Sequence, residues 1–191
     1  KKKLIIKINN RNKNNIMNIL LSISVINELN LPLIKIKNFF KDKVLLKGRG
    51  KINKINKFNK KFFLIDESYN ANPLSVKSAI ENFSNIKKKG KRKYFLFGDM
   101  LELGKNSNFY HKKISKFINN SDIDKTYVYG SKAFETYRLI RKQKRGEVIK
   151  DLKSFSGKIS NILNNGDYLM IKGSNATGLH KISKNFIGRY N

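Results

Sequence analysis

The chain has 191 residues, with 42 Lys or Arg against 13 Asp or Glu and a formal net charge of +29. That length holds one full domain and part of another. The absence of Cys excludes a disulfide framework and a thiolate zinc site, and no apolar run reaches membrane-spanning length, so a soluble cytoplasmic protein is expected.

Ile16, Ile19, Leu20, Ile23, Ile26 and Leu29 recur at helical spacing and predict one amphipathic helix over residues 15–29. An apolar stretch from Leu31 to Phe40 follows. Lys47 to Lys61 is basic, and Gly48 and Gly50 permit a bend, so residues 48–61 read as an interdomain joint between a first segment, 1–47, and a second domain, 62–191. Beyond Lys61 the pattern alternates. Strands are predicted at Phe62–Asp66, Tyr94–Gly98, Thr126–Tyr129, Glu147–Ile149 and Tyr168–Ile171. Helices are predicted at Pro73–Phe83, Asn108–Ile118, Lys132–Ile140, Leu152–Leu163 and Gly178–Ile187. Strands alternating with helices of this length imply an α/β fold, Rossmann-like, with a mostly parallel sheet, right-handed crossovers and helices on both faces. Four strands end in polar or glycine turns, namely Asp66-Glu67, Gly98-Asp99, Gly130-Ser131 and Gly173-Ser174, which converge on the sheet edge where such folds bind ligands.

The basic excess invites a nucleic-acid reading. Of the 42 basic residues, however, 35 are Lys and only 7 Arg, and they are accompanied by 26 Asn and 24 Ile. These three residue types share A- and T-rich codons. Dedicated nucleic-acid binders favour Arg and interleave aromatics, whereas here Lys is spread along the whole chain. A solvated basic surface is the expectation, with no specific nucleic-acid partner and only salt-sensitive binding to polyanions.

Ile65-Asp66-Glu67-Ser68-Tyr69-Asn70-Ala71-Asn72-Pro73 carries the densest chemistry. It places two carboxylates, a hydroxyl, a phenol and two amides after a buried strand. Asn72-Pro73 then opens a helix, because Asn accepts from first-turn N–H groups and Pro at the first helical position loses no hydrogen bond.

The segment resembles the Asp-Asp/Glu-Ser-Tyr-Asn-Ala-Asn-Pro signature of the Mur ligases. It is nearest the branch of that family that adds D-alanyl-D-alanine to UDP-N-acetylmuramoyl-tripeptide. Gly48-Arg49-Gly50, Gly98-Asp99-Met100-Leu101-Glu102-Leu103-Gly104 with Ser107 and His111 beyond it, and Lys172-Gly173-Ser174 resemble further family motifs in the same order. Two positions depart from the pattern: Asn175 stands where an Arg usually follows Lys-Gly-Ser, and in Asn14-Asn15-Ile16-Met17-Asn18-Ile19-Leu20, which resembles a central-domain helix written His-Asn-x-x-Asn-Ala-Leu, Asn14 stands for the His. No Gly-x-x-Gly-Lys-Thr/Ser phosphate loop occurs in these residues. The resemblance therefore implies the C-terminal domain of a ligase at 62–191, preceded by a helical remnant of its central domain at 1–47 and inactive by itself.

The implied reaction is ATP-driven amide formation through an acyl phosphate, with ATP and Mg2+ held mainly by the central domain, in peptidoglycan precursor synthesis by a monomer. The implied substrates are UDP-N-acetylmuramoyl-tripeptide and D-alanyl-D-alanine. Arg49 is expected to contact the ATP phosphates and take part in catalysis. Glu67 is expected at the ribose, and Tyr69, Asn70 and Asn72 are expected to supply hydrogen bonds and a flat face for the base, Asn72 serving equally as a helix cap. Lys172, Gly173 and Ser174 are expected to grip the incoming dipeptide, with Lys172 also catalytic. Asp99 and Glu102 either orient an amine or complement a helix dipole. His111 reads as a packing or surface residue, and no protein metal ligand is expected. The competing readings are another superfamily amide ligase, of the diaminopimelate- or lysine-adding, folylpolyglutamate or cyanophycin type, or a basic nucleic-acid-binding α/β module.

Overall fold

The isoleucine spacing at the start of the chain produces helix α1, Lys13–Glu28, in a computed structural model that describes residues 5, 13–36, 38, 39, 48, 50–87 and 89–188. The chain divides into two compact units, Lys1–Leu45 and Leu46–Asn191. Within the first unit Ile19 is buried and Ile16, Ile23 and Ile26 are half-buried on one helix face. Leu20 and Leu29, expected on that face, are exposed; the covered stripe is narrower than the periodicity suggests. The helix ends where Asn30 takes a left-handed φ of 54° and the N–H of Leu31 turns back to the carbonyl of Ile26.

The second unit opens with a hairpin of β1, Lys51–Lys57, and β2, Lys60–Glu67. Its two-residue turn, Phe58-Asn59, has φ values of 57° and 56°, the mirror-image turn that matches strand twist. A phenylalanine is costly there. Its ring compensates by packing edge-on against Phe186 at 6.3 Å. No strand was expected over β1, which lies inside the segment read as a joint. Its Lys-Ile-Asn-Lys-Ile-Asn-Lys sequence has period three, and only Ile55 is buried. A lysine-rich edge strand needs little apolar surface and resists pairing with other chains.

Chain order then runs α2 (Pro73–Ser84), β3 (Lys93–Gly98), α3 (Ser107–Asn119), β4 (Lys125–Tyr129), α4 (Ala133–Leu139), β5 (Arg145–Ile149), α5 (Leu152–Ile162), β6 (Tyr168–Lys172) and α6 (His180–Ile187). Each matches a predicted element within a few residues. The six strands form one sheet in the order β1-β2-β6-β3-β4-β5, parallel throughout except for β1.

Both faces are covered. Phe95 and Phe97 of β3 point toward Val76 and Ile80 of α2 and Ile114 and Ile118 of α3. Tyr94 and Leu96 point the other way, toward Phe155 and Ile159 of α5 and Ile182 and Phe186 of α6. All six residues of β3 are buried, which is why the strand reads as an unbroken apolar run rather than an alternation. The connections through α2, α3 and α4 lie on one face, and the return through α5 lies on the other. Because β6 is inserted between β2 and β3, the loops leaving these three strands diverge to opposite faces and open a crevice at their carboxyl ends.

Candidate functional site

The chain turns at the end of β2 because Asp66 Oδ1 accepts from the Ser68 N–H at 3.1 Å and the Ser68 hydroxyl at 2.6 Å. Asn70 Oδ1 then accepts from the Ala71 N–H at 2.7 Å. Asn72 caps α2: its side chain accepts from the Ser75 N–H at 2.8 Å, and Ser75 Oγ accepts from the Asn72 N–H at 3.0 Å. Tyr69 is left 55% exposed. Gly48 and Gly50, both with left-handed φ, lie against this turn. A Cβ on Gly48 would sit 2.8 Å from the Cβ of Tyr69, and one on Gly50 would run into the Glu67 carboxylate.

The loops after β3 and β6 are bonded to one another and to the turn. Ser174 Oγ accepts from the Leu101 N–H at 2.9 Å, and the Ser174 N–H donates to the Asp99 carbonyl at 3.0 Å. Gly173 and Gly98 allow the strand ends to approach, since a Cβ on Gly173 would lie 3.2 Å from the Gly98 Cα. His111, fully buried on α3, accepts from the Met100 N–H at Nε2 (2.9 Å), and its Nδ1–H donates to the Ser107 carbonyl at 2.8 Å. Burial holds its pKa below the ordinary histidine value, against the opposing pull of the Ser107 carbonyl and the Asp99 charge. Both ring nitrogens are therefore used by the neutral imidazole, and His111 holds the loop.

These loops enclose a cleft of about 350 Å³ lined by Tyr69, Asn70, Leu101, Glu102, Ser174, Asn175 and Ala176. A second, more open cleft, about 630 Å³, lies toward β4 and β5 and includes Asp99, Ser131, Phe134 and Thr177.

The structure thus gathers Tyr69, Asn70 and Ser174 at one cleft and sets other expected residues elsewhere. The Lys172 amine is buried; it donates to the Asn70 carbonyl at 3.0 Å and meets Glu67 Oε2 at 3.5 Å. It braces the turn from beneath and does not line the cleft, contrary to the expected direct grip on a dipeptide. Gly173 serves the close approach of β6 to β3. Asp99 lies outside this cleft as well. Its Oδ1 accepts from the N–H groups of Lys132 and Ala133 at 3.1 and 2.7 Å, and a Cβ on Gly130 would collide with its carboxylate. Of the two readings of Asn72, the structure realises the cap. Glu67 remains partly exposed beside Lys172. Arg49 falls outside the described residues. The brace made by His111 was not foreseen as part of the site; its only sequence signal is its spacing beyond the Gly98–Gly104 loop.

Comparison with known proteins extends the motif reading. The family model "Mur ligase, glutamate ligase domain" matches residues 53–175. The chain is 34% identical over 182 residues to the UDP-N-acetylmuramoyl-tripeptide–D-alanyl-D-alanine ligase of Buchnera aphidicola subsp. Baizongia pistaciae, covering 92% of this chain and 37% of that protein. It is 30% identical over 134 residues to the ligase of the same name from Bacillus subtilis, covering 65% of this chain and 28% of that protein. The chain therefore spans little more than a third of the length of such relatives. Among solved structures, the MurF ligase of Thermotoga maritima in complex with ADP superposes with a TM-score of 0.73 at 21% identity, over 92% of this chain and 38% of that one. MurF of Acinetobacter baumannii superposes with 0.76 at 19% identity, over 96% and 39%. These two likenesses concern the fold.

Proposed function

This chain belongs to the Mur ligase family, and from that membership we propose that it supplies the C-terminal domain of an ATP-dependent ligase joining D-alanyl-D-alanine to UDP-N-acetylmuramoyl-tripeptide. In this reading the domain comprises 62–191 together with the β1–β2 hairpin that shares its sheet, which narrows the joint to the residues around Gly48 and Gly50, and 1–47 is the end of the central domain. The observation that carries the choice of branch is the Ser68–Pro73 turn, bonded into the crevice where β2, β6 and β3 end. The relatives that bear the name of this activity support the same choice. No described helix is long and apolar enough to cross a membrane, and we assign the work to a cytoplasmic monomer.

ATP, when bound, supplies the phosphoryl group that activates the tripeptide carboxylate. On this chain the exposed Tyr69 ring offers a face for the base and Glu67 offers carboxylate oxygens for ribose hydroxyls. Asn70 keeps its amide nitrogen for a hydrogen bond while its oxygen holds Ala71. The cleft beside them receives the dipeptide, and the backbone bonds to His111 and Ser174 keep its rim in place before the substrate arrives, which is the requirement for an attacking amine to be aligned. Among the described residues no group of three or more His, Asp or Glu converges to hold a metal ion. In this reading Mg2+ is held mainly by the central domain.

The test is phosphate release from ATP with the UDP-linked tripeptide and D-alanyl-D-alanine. The purified chain should show none, because it contains no phosphate loop. Supplying the phosphate-loop and UDP-sugar domains of a related ligase in trans should restore it, and Arg49→Ala should then lower turnover by about a hundredfold or more with the fold intact. Turnover by the chain alone, or restoration only with diaminopimelate or lysine in place of the dipeptide, would overturn the assignment.

A further inference from the structure

The cleft at the carboxyl ends of β2, β3 and β6 inverts the electrostatics of the rest of the chain. Against a net charge of +29, the one charged side chain among its lining residues is an acid, Glu102. Every other acidic side chain among the described residues of the second unit has a hydrogen bond or an ion pair. Asp66 holds Ser68, Glu67 meets Lys172, Glu81 meets Lys77, and Asp99 holds the start of α4. Asp122 and Asp124 secure Lys93; Glu135 and Glu147 meet lysines of neighbouring helices; Asp151 and Asp167 accept backbone N–H groups. Glu102 makes no such contact among the described residues. In a chain with about three basic residues for each acid, the one charged side chain lining this cleft is an acid, and it is exposed to whatever enters.

Its backbone points the same way. Glu102 has a φ of 63°, a left-handed conformation that glycine or asparagine adopts at less cost. Such strain persists only where the surroundings impose it. Here the two preceding N–H groups are both anchored, Met100 to His111 on α3 and Leu101 to Ser174 after β6. Two separate elements thus force a non-glycine residue into this geometry at the rim of the cleft.

We propose that Glu102 receives the ammonium group of the incoming amine substrate and thereby holds its nitrogen in place; the ammonium gives up one proton, to Glu102 or to water, before the neutral amine attacks. The assignment rests on the ligase reading above and keeps for Glu102 the amine-orienting role that the sequence offered to both it and Asp99, whose carboxylate is committed to α4. A cleft of about 350 Å³ with Leu101 and Ala176 as apolar lining and Asn175 as an amide donor fits a small zwitterion with short alkyl side chains. A free α-amine is required. An acylated one offers Glu102 no positive charge.

The test is a nuclear magnetic resonance titration of this chain with D-alanyl-D-alanine and with N-acetyl-D-alanyl-D-alanine, following the amides of residues 69–71, 101–103 and 174–176. The free amine should bind about tenfold or more tightly, the usual worth of a charge-assisted hydrogen bond. Glu102→Gln should bring the two affinities within about twofold, whereas Asp99→Asn should leave the preference unchanged. Glu102→Gly removes the carboxylate and relieves the backbone, so it should lose the preference while melting no lower than the parent; this variant separates lost binding from lost folding. Equal binding of both peptides, a preference that survives Glu102→Gln, or no shift of these amides with either peptide would overturn the proposal. Equal binding of both peptides at these amides would leave the dipeptide-ligase reading standing. A Glu102-dependent response to diaminopimelate or lysine instead of the dipeptide would keep the role of Glu102 and refute the choice of substrate.

Discussion

Lys93 and Lys172 are both fully buried lysines of the same sheet, one at the amino end of β3 and the other at the carboxyl end of β6. Lys93 donates to both oxygens of Asp122 at 2.9 and 2.8 Å and to the Ser84 carbonyl at 3.0 Å. Around it Asp124 accepts from the Lys93 N–H and Asp167 from the Arg92 N–H, so the amino edge is tied by short, charge-assisted bonds. Lys172 has the Asn70 carbonyl at 3.0 Å but its carboxylate, Glu67, only at 3.5 Å. The same side chain at the same burial meets its carboxylate at 2.8 Å at one edge and at 3.5 Å at the other. Free energy invested in geometry at the amino edge stabilises the fold. At the carboxyl edge the lysine–carboxylate contact is longer and the backbone is left-handed at Glu102.

Removing the carboxylate from each pair is the most forceful way to break this comparison. Asp122→Ala leaves the Lys93 ammonium buried with the Ser84 carbonyl and should cost about 3–5 kcal/mol in urea unfolding. Lys93→Met should cost less, because the Asp122 side chain is 38% exposed and regains water. Glu67→Ala should cost only about 1–3 kcal/mol, since Lys172 keeps its bond to Asn70. If Glu67→Ala proved as damaging as Asp122→Ala, the two edges would be alike and the distinction would fall.

The sequence reveals these two edges unequally. Strands buried on both faces announce themselves as apolar runs, so β2, β3, β4 and β6 were readable, and the polar turns after them marked the edge where the cleft lies. The edge strand β1 escaped because one buried residue, Ile55, suffices for it and its repeat mimics a basic linker. The site was legible as a set of side-chain types but not in its allocation. Asp99, Glu102 and Asn72 are all plausible ligand-binding groups in one dimension. The N–H groups that engage Asp99 belong to residues 132 and 133, more than thirty positions away, and only folding shows that it is occupied while Glu102 is not. The partners of Lys172 were hidden in the same way, since they lie on β2 and the turn beyond it, about a hundred positions upstream.

A smaller effect sharpens the comparison through pH. His111 is held neutral by burial, with its pKa below the ordinary value near 6.5. The unfolded chain therefore takes up this proton first as pH falls. The contribution of His111 is fully present above about pH 6.5 and is lost as pH drops from there through the folded value. The urea midpoint should decline between about pH 7 and about pH 5, and His111→Gln should flatten that decline. His111→Phe leaves the buried Met100 N–H without its acceptor and should cost about 1–3 kcal/mol. It should also broaden the amide resonances of residues 100–102, because the loop loses one of its two anchors. Asp151, held below the usual aspartate value chiefly by the N–H of Ser154 and then that of Lys153, titrates at lower pH and does not confuse the measurement.

The smallest effects belong to α2, which follows the Ser68–Pro73 turn and whose outer face carries one of the many surface lysines. Asn72→Ala removes the acceptor for the Ser75 N–H and half of a reciprocal cap, and should cost about 1 kcal/mol. Lys77→Ala breaks an i,i+4 pair with Glu81 at 3.7 Å in which both side chains are about half exposed. Water and salt screen such a pair, so the change should stay within about 0.5 kcal/mol and vanish at high ionic strength. The contrast bears on the excess of lysine itself. If surface lysines are a solvated coat, removing Lys77 or the exposed Lys113 near it should leave both stability and cleft binding unchanged, while the loss from Asn72→Ala should persist at every salt concentration. A large salt-dependent loss from the lysine changes would instead mean that the basic surface holds the fold together, and the division between a tied amino edge and a responsive carboxyl edge would no longer describe where the stability of this domain resides.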